Sequence, residues 1–186
     1  MKSTAILRDE HKTIQLFLSA AELEIASIRK TGRLNWDELH CILDFLTNYV
    51  GWAHHTKEEK YLFVKIEERC REDMSIPVAV MVHEHAEERS RIRTIQEAMT
   101  VAGKSETAAA AIADSLADYV HFMLNHINKE NKVIFPLADC LLTPLDQLVL
   151  AENFAEVDRE VLEEGVKLKY HQLAEKYSNY LIMINS

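Results

Sequence analysis

The chain has 186 residues, enough for one domain with a buried core of its own. It contains only 4 glycines and 3 prolines, and this composition favours an all-α fold of long helices over a turn-rich sheet protein. The formal net charge is -9 and the basic residues form no cluster, which argues against a surface that binds DNA or RNA.

The sequence also predicts a cytoplasmic protein without a membrane partner. The N-terminal segment MKSTAILRDEHK lacks the apolar centre of a signal peptide, and no apolar stretch approaches the roughly 20 residues of a membrane-spanning helix. Cys41, Cys70 and Cys140 are far apart and form no CxxC pair. We therefore interpret them as buried or inert thiols rather than as zinc ligands or a disulfide framework.

Apolar residues at alternating steps of three and four predict four long helices. The first three cover about residues 4–30, 36–71 and 76–102, separated by the breaks TGRLNW and DMSIP. After the break AGKSE comes a fourth helix, which Pro136 should kink or end. The apolar positions predicted to face the core are Leu7, Ile14, Leu18, Ala21, Ile25, Ile28, Leu39, Leu43, Leu46, Val50, Val78, Met81, Ile92, Ile95, Met99, Ile112, Leu116, Tyr119, Met123 and Val133.

Short connections between these helices predict an antiparallel four-helix bundle of up-down-up-down topology. No internal repeat is recognisable in the sequence. We assign the bundle to residues 1–140 and a C-terminal helical extension to residues 141–186, which packs on the bundle or forms an interface. The packing candidates of this extension are Phe154, Val157, Val161, Leu168, Leu173 and Tyr177.

Six ionisable residues interrupt the apolar seams of the predicted bundle. An unpaired ionisable side chain in a core is costly, so such groups on four separate helices need a compensating partner, of which a metal is the simplest. Residues four apart lie roughly 40° apart around a helix, so a His and a Glu at this spacing can aim at one point. Two such pairs and one histidine from each remaining helix give His11, His54, Glu58, His85, His126 and Glu130.

These residue types suit a pair of cations. Imidazole binds iron, zinc, copper and nickel, whereas carboxylates can bridge two hard cations. Four histidines and two glutamates therefore fit two iron atoms bridged by Glu58 and Glu130, while structural zinc needs only four ligands. From ligand type alone, manganese or a mixed metal pair stays open.

Four segments, in the order of the four predicted helices, resemble the hemerythrin-like, or HHE cation-binding, family. They are LRDEHKTI, WAHHTKEEKYLF, VAVMVHEHAEERSRI and FMLNHINKENKVIFPLAD, and the resemblance covers most of residues 5–140. It implies a bundle that holds two non-haem iron ions with carboxylate and oxo bridges, so iron is preferred to the manganese that ligand type alone leaves open. Carried over position by position, the family's ligands fall on His11, His54, Glu58, His85, His126 and Glu130.

The chain departs at two positions from the oxygen-carrying hemerythrins that it resembles. Met81 stands one turn before His85, where those carriers have a further histidine, and Glu130 comes one residue earlier than their aspartate. An iron with fewer ligands keeps more positions for reaction, which argues against reversible oxygen carriage. The pattern is closer to bacterial HHE proteins linked to iron-centre repair and nitrosative stress.

Two other ionisable residues of the second helix directly follow the predicted ligands His54 and Glu58. His55 and Glu59 lie roughly 100° further round the helix than His54 and Glu58. We therefore interpret them as surface groups or as groups that support a ligand, although an exchange of roles between the two pairs stays open.

Other polar residues near the seams are assigned mainly structural roles. Glu88 lies one turn after His85 and has the spacing for an additional ligand or for a hydrogen bond to an imidazole. Participation by Glu84 stays open, and Tyr119 and Tyr61 are interpreted as core residues that can also donate hydrogen bonds to a ligand. The histidines interpreted as ordinary surface or interhelical residues are His83, His40, His121 and His171.

Two kinds of function stay open at this point. The first is a di-iron protein that binds or reacts with a small ligand, which is dioxygen, nitric oxide or peroxide. The second is an iron or oxygen sensor, or an iron-donating repair protein, without turnover. The sequence assigns no enzyme activity, and the oligomeric state stays open, with a homodimer as one option.

Overall fold

The computed structural model describes residues 2–70, 76–102, 106–162 and 166–184, which are helical and contain no β-strand. Four helices form the bundle: α1 at Ser3–Thr31, α2 at residues 36–69, α3 at Ile76–Val101 and α4 at residues 106–141. Two more follow, α5 at Pro144–Val161 and α6 at Val166–Ile184. Arg71, the predicted last residue of the second helix, and most of the breaks DMSIP and AGKSE lie outside the described residues.

Local sequence signals set the helix ends that the structure describes. Gly32 ends α1 in the left-handed conformation, with φ 67°, and donates its N–H to the carbonyl of Ile28. The side chain of Asn35 accepts the N–H of Glu38 at the start of α2, so the predicted break TGRLNW is confirmed. Thr143 and Asp146 form a capping box at the start of α5.

The predicted up-down-up-down bundle is confirmed by the contacts between its helices. Thr4 near the start of α1 hydrogen-bonds Asp139 near the end of α4, whereas Arg29 near the end of α1 pairs with Asp114 near the start of α4. These two helices are therefore antiparallel. The same reversal holds for α1 with α2, for α2 with α3 and for α3 with α4.

The periodicity identified the core of the bundle correctly except at Val133. That residue is 48% exposed, whereas Ile134 is buried at 1%. The cause is a π-helical turn at Glu130–Ile134, in which the N–H of Phe135 bonds the carbonyl of Glu130, five residues back. One extra residue in this turn moves the inward position from Val133 to Ile134.

The expected effect of Pro136 is also modified by this turn. The helix does not end there, because α4 continues to Leu141. Proline has no N–H to donate, and it lies in the first turn of the α-helical segment that follows the π-helical one. The change in hydrogen-bonding pattern and the missing donor thus fall at the same place in α4.

The C-terminal helices pack on one side of the bundle, with α5 against α1 and α2 and α6 against α1. Phe154, Val157 and Tyr177 are buried as predicted, whereas Leu168 is 61% exposed. The inward face of α6 instead consists of Tyr170, Ala174 and Tyr177. Val161 and Leu173 are half-buried against the core, and the domain division at residue 140 stays a prediction.

Two further expectations concern the surface. Cys41 and Cys70 are half-buried, but Cys140 is exposed on α4, so of the two alternatives, buried or inert, burial is wrong for Cys140. None of the three forms a disulfide. In the parts of the chain that the structure describes, no helix combines the length and apolar character needed to cross a bilayer.

The π-helical turn in α4 predicts unequal effects of two neighbouring substitutions. Ile134→Ala is expected to lower the free energy of unfolding by about 3 kcal/mol, since it leaves a cavity in a packed core. Val133→Ala, at an exposed position, should change it by less than about 0.5 kcal/mol. Urea denaturation at equal metal loading measures both, and equal losses would contradict the inward position of Ile134.

Candidate metal centre

The candidate centre lies in the middle of the bundle, between two apolar clusters. The larger cluster includes Ile14, Val50, Ile92 and Met123. The smaller cluster, which includes Leu7, lies at the other end of the bundle, where α1 and α3 begin and α2 and α4 end. All six residues predicted as ligands lie between them and are at most 2% exposed, namely His11, His54, Glu58, His85, His126 and Glu130.

The side-chain atoms that could bind a metal form two adjacent groups. Each of the four bundle helices contributes to at least one group. In the first group, atoms of His11, His54, Glu58 and Glu130 all lie within 4.8 Å of one another. The second group, to the same limit, consists of His55, His85 and His126. The Nε2 atom of His85 lies 3.5 Å from Glu58 and 3.6 Å from Glu130, so the two carboxylates stand between the groups.

Both carboxylates are placed by the same irregularity of helix winding. Glu58 begins a π-helical turn in α2, just as Glu130 does in α4. In each turn, the N–H five residues later, of Phe63 or Phe135, bonds the carbonyl of the glutamate. Single π-helical turns are frequent at functional sites, because they re-aim side chains without ending the helix.

The structure corrects the interpretation of His55 as a surface group. It is 1% exposed, and its ring stacks on that of His85 with centroids 3.8 Å apart. A third π-helical segment at Leu46–His54 precedes it, and such wider winding reduces the angle between neighbouring side chains, so both His54 and His55 face inward. The sequence signal that bears on His55 is Met81. It stands in the third helix where the oxygen-carrying hemerythrins have a further histidine.

Carboxylates outside the centre orient three of the imidazoles. The Nδ1–H of His54 donates to Glu10 at 2.8 Å, that of His85 to Glu59 at 2.8 Å and that of His126 to Glu84 at 3.0 Å. Such outer hydrogen bonds select the tautomer whose Nε2 atom is free to bind a metal. Glu59 and Glu84 therefore contact predicted ligands from outside the two groups of converging atoms.

The Nε2 atoms consequently converge in pairs. Those of His11 and His54 are 3.1 Å apart, and those of His85 and His126 are 3.2 Å apart. The Nδ1 atom of His11 contacts Asn131 at 3.2 Å instead of a carboxylate. Two pairs of inward nitrogens on either side of two carboxylates match the arrangement that a pair of cations requires.

The buried polar atoms at the centre also fit cations. Neither carboxylate oxygen of Glu58 or Glu130, and neither ring nitrogen of His55, has a hydrogen bond of acceptable geometry among the described residues. Burial, and then the adjacent Glu130 carboxylate, raise the pKa of Glu58 well above its usual value. Unpartnered buried groups are expensive, and imidazole with carboxylate is a donor set that suits iron.

The imidazoles differ in how readily they offer a nitrogen. Burial lowers the pKa of His54 to about 4 and that of His55 well below its usual value, so both are neutral at pH 7, as metal ligands must be. Burial would also lower the pKa of His126, but the Glu130 and Glu84 carboxylates raise it to about 9. A cation bound there must displace a proton.

The two halves of the centre repeat the same short pattern. In the α1–α2 hairpin, Glu10 binds both His54 and Lys57; in the α3–α4 hairpin, Glu84 binds both His126 and Lys129. The matched positions are Glu10 with Glu84, His11 with His85, His54 with His126, Lys57 with Lys129, Glu58 with Glu130 and Phe63 with Phe135. Six scattered positions are too few to have been recognised as an internal repeat in the sequence.

Three further polar residues named from the sequence lie around the centre or at the surface, and a role of any of them in ligand binding stays a prediction. Tyr119 is buried and donates its hydroxyl to Glu88 at 2.7 Å, so a buried polar pair lies beside the centre. Tyr61 is half-buried. His83 is exposed, in agreement with its interpretation as a solvated residue.

The two matched lysines differ in burial and predict unequal effects. Lys57 is 1% exposed and also pairs with Asp158 of α5 at 2.5 Å, whereas the side chain of Lys129 is 47% exposed. Lys57→Met leaves buried carboxylate charge uncompensated and should lower the free energy of unfolding by about 3 to 5 kcal/mol. Lys129→Met, the matched control, should cost about 1 kcal/mol or less in urea denaturation, and similar losses would contradict this difference.

Comparison with known proteins gives the centre a family context. The chain matches the family described as hemerythrin HHE cation binding domain over residues 2–138. It is 27% identical over 104 residues to the iron-sulfur cluster repair protein YtfE of Musicola paradisiaca, covering 54% of this chain and 45% of that protein. With YtfE of Edwardsiella ictaluri it shares 29% identity over 132 residues, covering 67% of this chain and 56% of that protein.

The chain thus spans about half the length of these curated relatives. No solved structure is significantly similar to it. The family match covers the four bundle helices and every residue of the buried His and Glu groups. The chain belongs to the hemerythrin HHE cation-binding domain family.

Proposed function

We propose that this protein holds a non-haem di-iron centre that binds or reacts with a small ligand, which is dioxygen, nitric oxide or peroxide. The observation that carries the proposal is the pair of adjacent buried groups, each with converging imidazole nitrogens, on either side of Glu58 and Glu130. One cation in each group, with the two carboxylates as bridges, would satisfy the carboxylate oxygens of Glu58 and Glu130, which have no hydrogen bond of acceptable geometry among the described residues.

In this proposal each protein group has a defined task. His11 and His54 would hold one iron and His85 and His126 the other, in line with the two groups of ligand atoms, and Glu58 and Glu130 would bridge the pair. Iron supplies a redox-active Lewis acid with exchangeable coordination positions. Glu10, Glu59 and Glu84 keep the imidazoles oriented, and their charge makes the imidazoles better ligands.

The accessible space around the centre favours a small ligand. A cavity of about 860 Å³ lies on the surface between α2, α3 and the end of α5, and its lining includes Glu59 and Glu88. Each of these carboxylates contacts an imidazole side chain of the buried groups, Glu59 at 2.8 Å from His85 and Glu88 at 4.0 Å from His55. One layer of side chains thus separates the cavity from the centre, which admits a molecule of a few atoms more easily than a larger substrate.

Metal analysis of the purified protein tests the proposal directly. We expect about two iron atoms per chain in protein purified without a nickel column, together with near-ultraviolet absorption from a bridged ferric pair. Glu130→Ala removes a bridging carboxylate and should leave fewer than about one iron per chain. Glu87→Ala, on the solvent side of α3, is the control and should keep the full iron content.

Ligand reactivity is measured on the same samples. Nitric oxide or peroxide should change the absorption of the wild-type protein faster than that of an equal amount of free iron, and this change should be lost in Glu130→Ala. A wild-type protein that takes up no iron pair, or whose spectrum is indifferent to all three ligands, would contradict the proposal.

A second candidate function is the donation of iron to damaged iron–sulfur centres, which the names of the curated relatives favour. It makes a different prediction for iron release. Because the proposed ligands are at most 2% exposed, we expect a chelator to remove the iron at a rate that is independent of chelator concentration and limited by opening of the bundle. Faster transfer to a metal-free iron–sulfur protein than to the chelator would favour donation. A cytoplasmic location, in which either role would operate, stays a prediction.

A further inference from the structure

The two halves of the centre differ at the residue directly after the histidine that begins each HxxKE segment. In α2 this residue is His55, whereas at the matched position of α4 it is Ile127. Both side chains are 1% exposed. The repeat therefore places an apolar side chain in one half and a potential metal ligand in the other.

The surroundings of His55 are those of a ligand rather than of a packed core histidine. A buried imidazole normally has hydrogen-bond partners, but both ring nitrogens of His55 have none of acceptable geometry in the described part of the chain. A nitrogen of this ring also lies within 4.8 Å of the ligand atoms of His85 and His126. The ring is held in place by the stack on His85 and by an edge contact with His126, whose ring centroid is 5.7 Å away.

A carboxylate stands beside the Nδ1 atom of His55, as it does for His54, His85 and His126. An oxygen of Glu88 lies 4.0 Å from Nδ1 of His55, and the other oxygen of Glu88 accepts the hydroxyl of Tyr119. The residue matched to Glu88 in the other half is Ile14, which is fully buried and apolar. The histidine and its carboxylate are thus both present in one half and both absent from the other.

We propose that His55 is a seventh protein ligand, the third imidazole on the iron that His85 and His126 hold, and that Glu88 positions it. This inference rests on the di-iron centre proposed above. The two irons are then chemically different, with three imidazoles on one and two on the other. His55 also replaces, from a different helix, the ligand that is missing at Met81.

Mössbauer spectroscopy of protein loaded with iron-57 separates the two positions. We expect two quadrupole doublets of equal area in the wild-type protein, because the ligand sets differ. His55→Ile copies the residue of the other half and should change one doublet selectively, while weakening the binding of one iron by at least about tenfold in competition with a chelator. The control is His83→Ala, which alters an exposed histidine of α3 and should leave both doublets unchanged.

Rescue distinguishes a ligand from a residue that only fills space. His55→Ala opens room for an imidazole molecule, and added imidazole should restore the wild-type doublet and the iron content in this variant. Circular dichroism monitors the fold of both variants, and His55→Ala with imidazole decides the question if His55→Ile does not fold. Glu88→Gln should shift the same doublet that His55→Ile changes, in keeping with a positioning role.

The outcomes separate the inference from the function beneath it. If the wild-type protein binds two irons but His55→Ala and His55→Ile keep both doublets and both irons, the role of His55 is wrong while the di-iron centre stands. The same holds if His55→Ala loses one iron and imidazole does not restore it. If the wild-type protein holds no iron pair, the proposed function fails and the inference fails with it.

Discussion

Charge compensation around two buried carboxylates is the constraint on which the rest of the structure depends. Glu58 and Glu130 are fully buried between imidazole rings, and burial of such charge is tolerated only when it is paired. Around these carboxylates, imidazole, carboxylate and basic side chains are arranged in successive layers. Imidazoles surround the two carboxylates, further carboxylates bind the outer nitrogens of the imidazoles, and lysine or arginine pairs with those carboxylates, as in Arg89 with Glu59. The proposed irons complete this alternation at its centre.

In the described part of the chain, the helix winding of the bundle changes at segments that carry predicted ligands. The three π-helical segments described there, Leu46–His54, Glu58–Leu62 and Glu130–Ile134, each begin or end at a residue of the buried His and Glu groups. The α-helical segments above and below keep their apolar faces in the two core clusters. A π-helical turn thus adds one inward residue without rotating the remainder of the helix out of the core, and packing on both sides holds the turn in place.

The two hairpins place matched His and Glu residues on either side of the centre. The positions at which the hairpins differ give the two halves of the centre different surroundings. On α2 the departure is His55, which lies with the matched Lys57 between the predicted ligands His54 and Glu58. Lys57 also contacts Asp158, so α5 is in direct contact with the groups that orient His54. The ion pair of Lys57 thus links α5 to the α1–α2 half of the centre, whereas Lys129, the matching lysine of the other half, is half-exposed.

The sequence by itself determined the four bundle helices, their antiparallel order and nearly the whole apolar core, because regular α-helices convert a period of 3.6 residues into one buried face. It also selected His11, His54, Glu58, His85, His126 and Glu130, since ionisable groups in apolar seams stand out against that period. Only the tertiary structure decided between Val133 and Ile134, between Leu168 and Tyr170, and whether His55 faces solvent or the centre. In α2 and α4 the reason is that a π-helical turn changes which of the neighbouring residues face inward, and packing against other helices holds that turn in place. In α6 the reason is the packing of Tyr170 against the rings of Phe17 and Phe45.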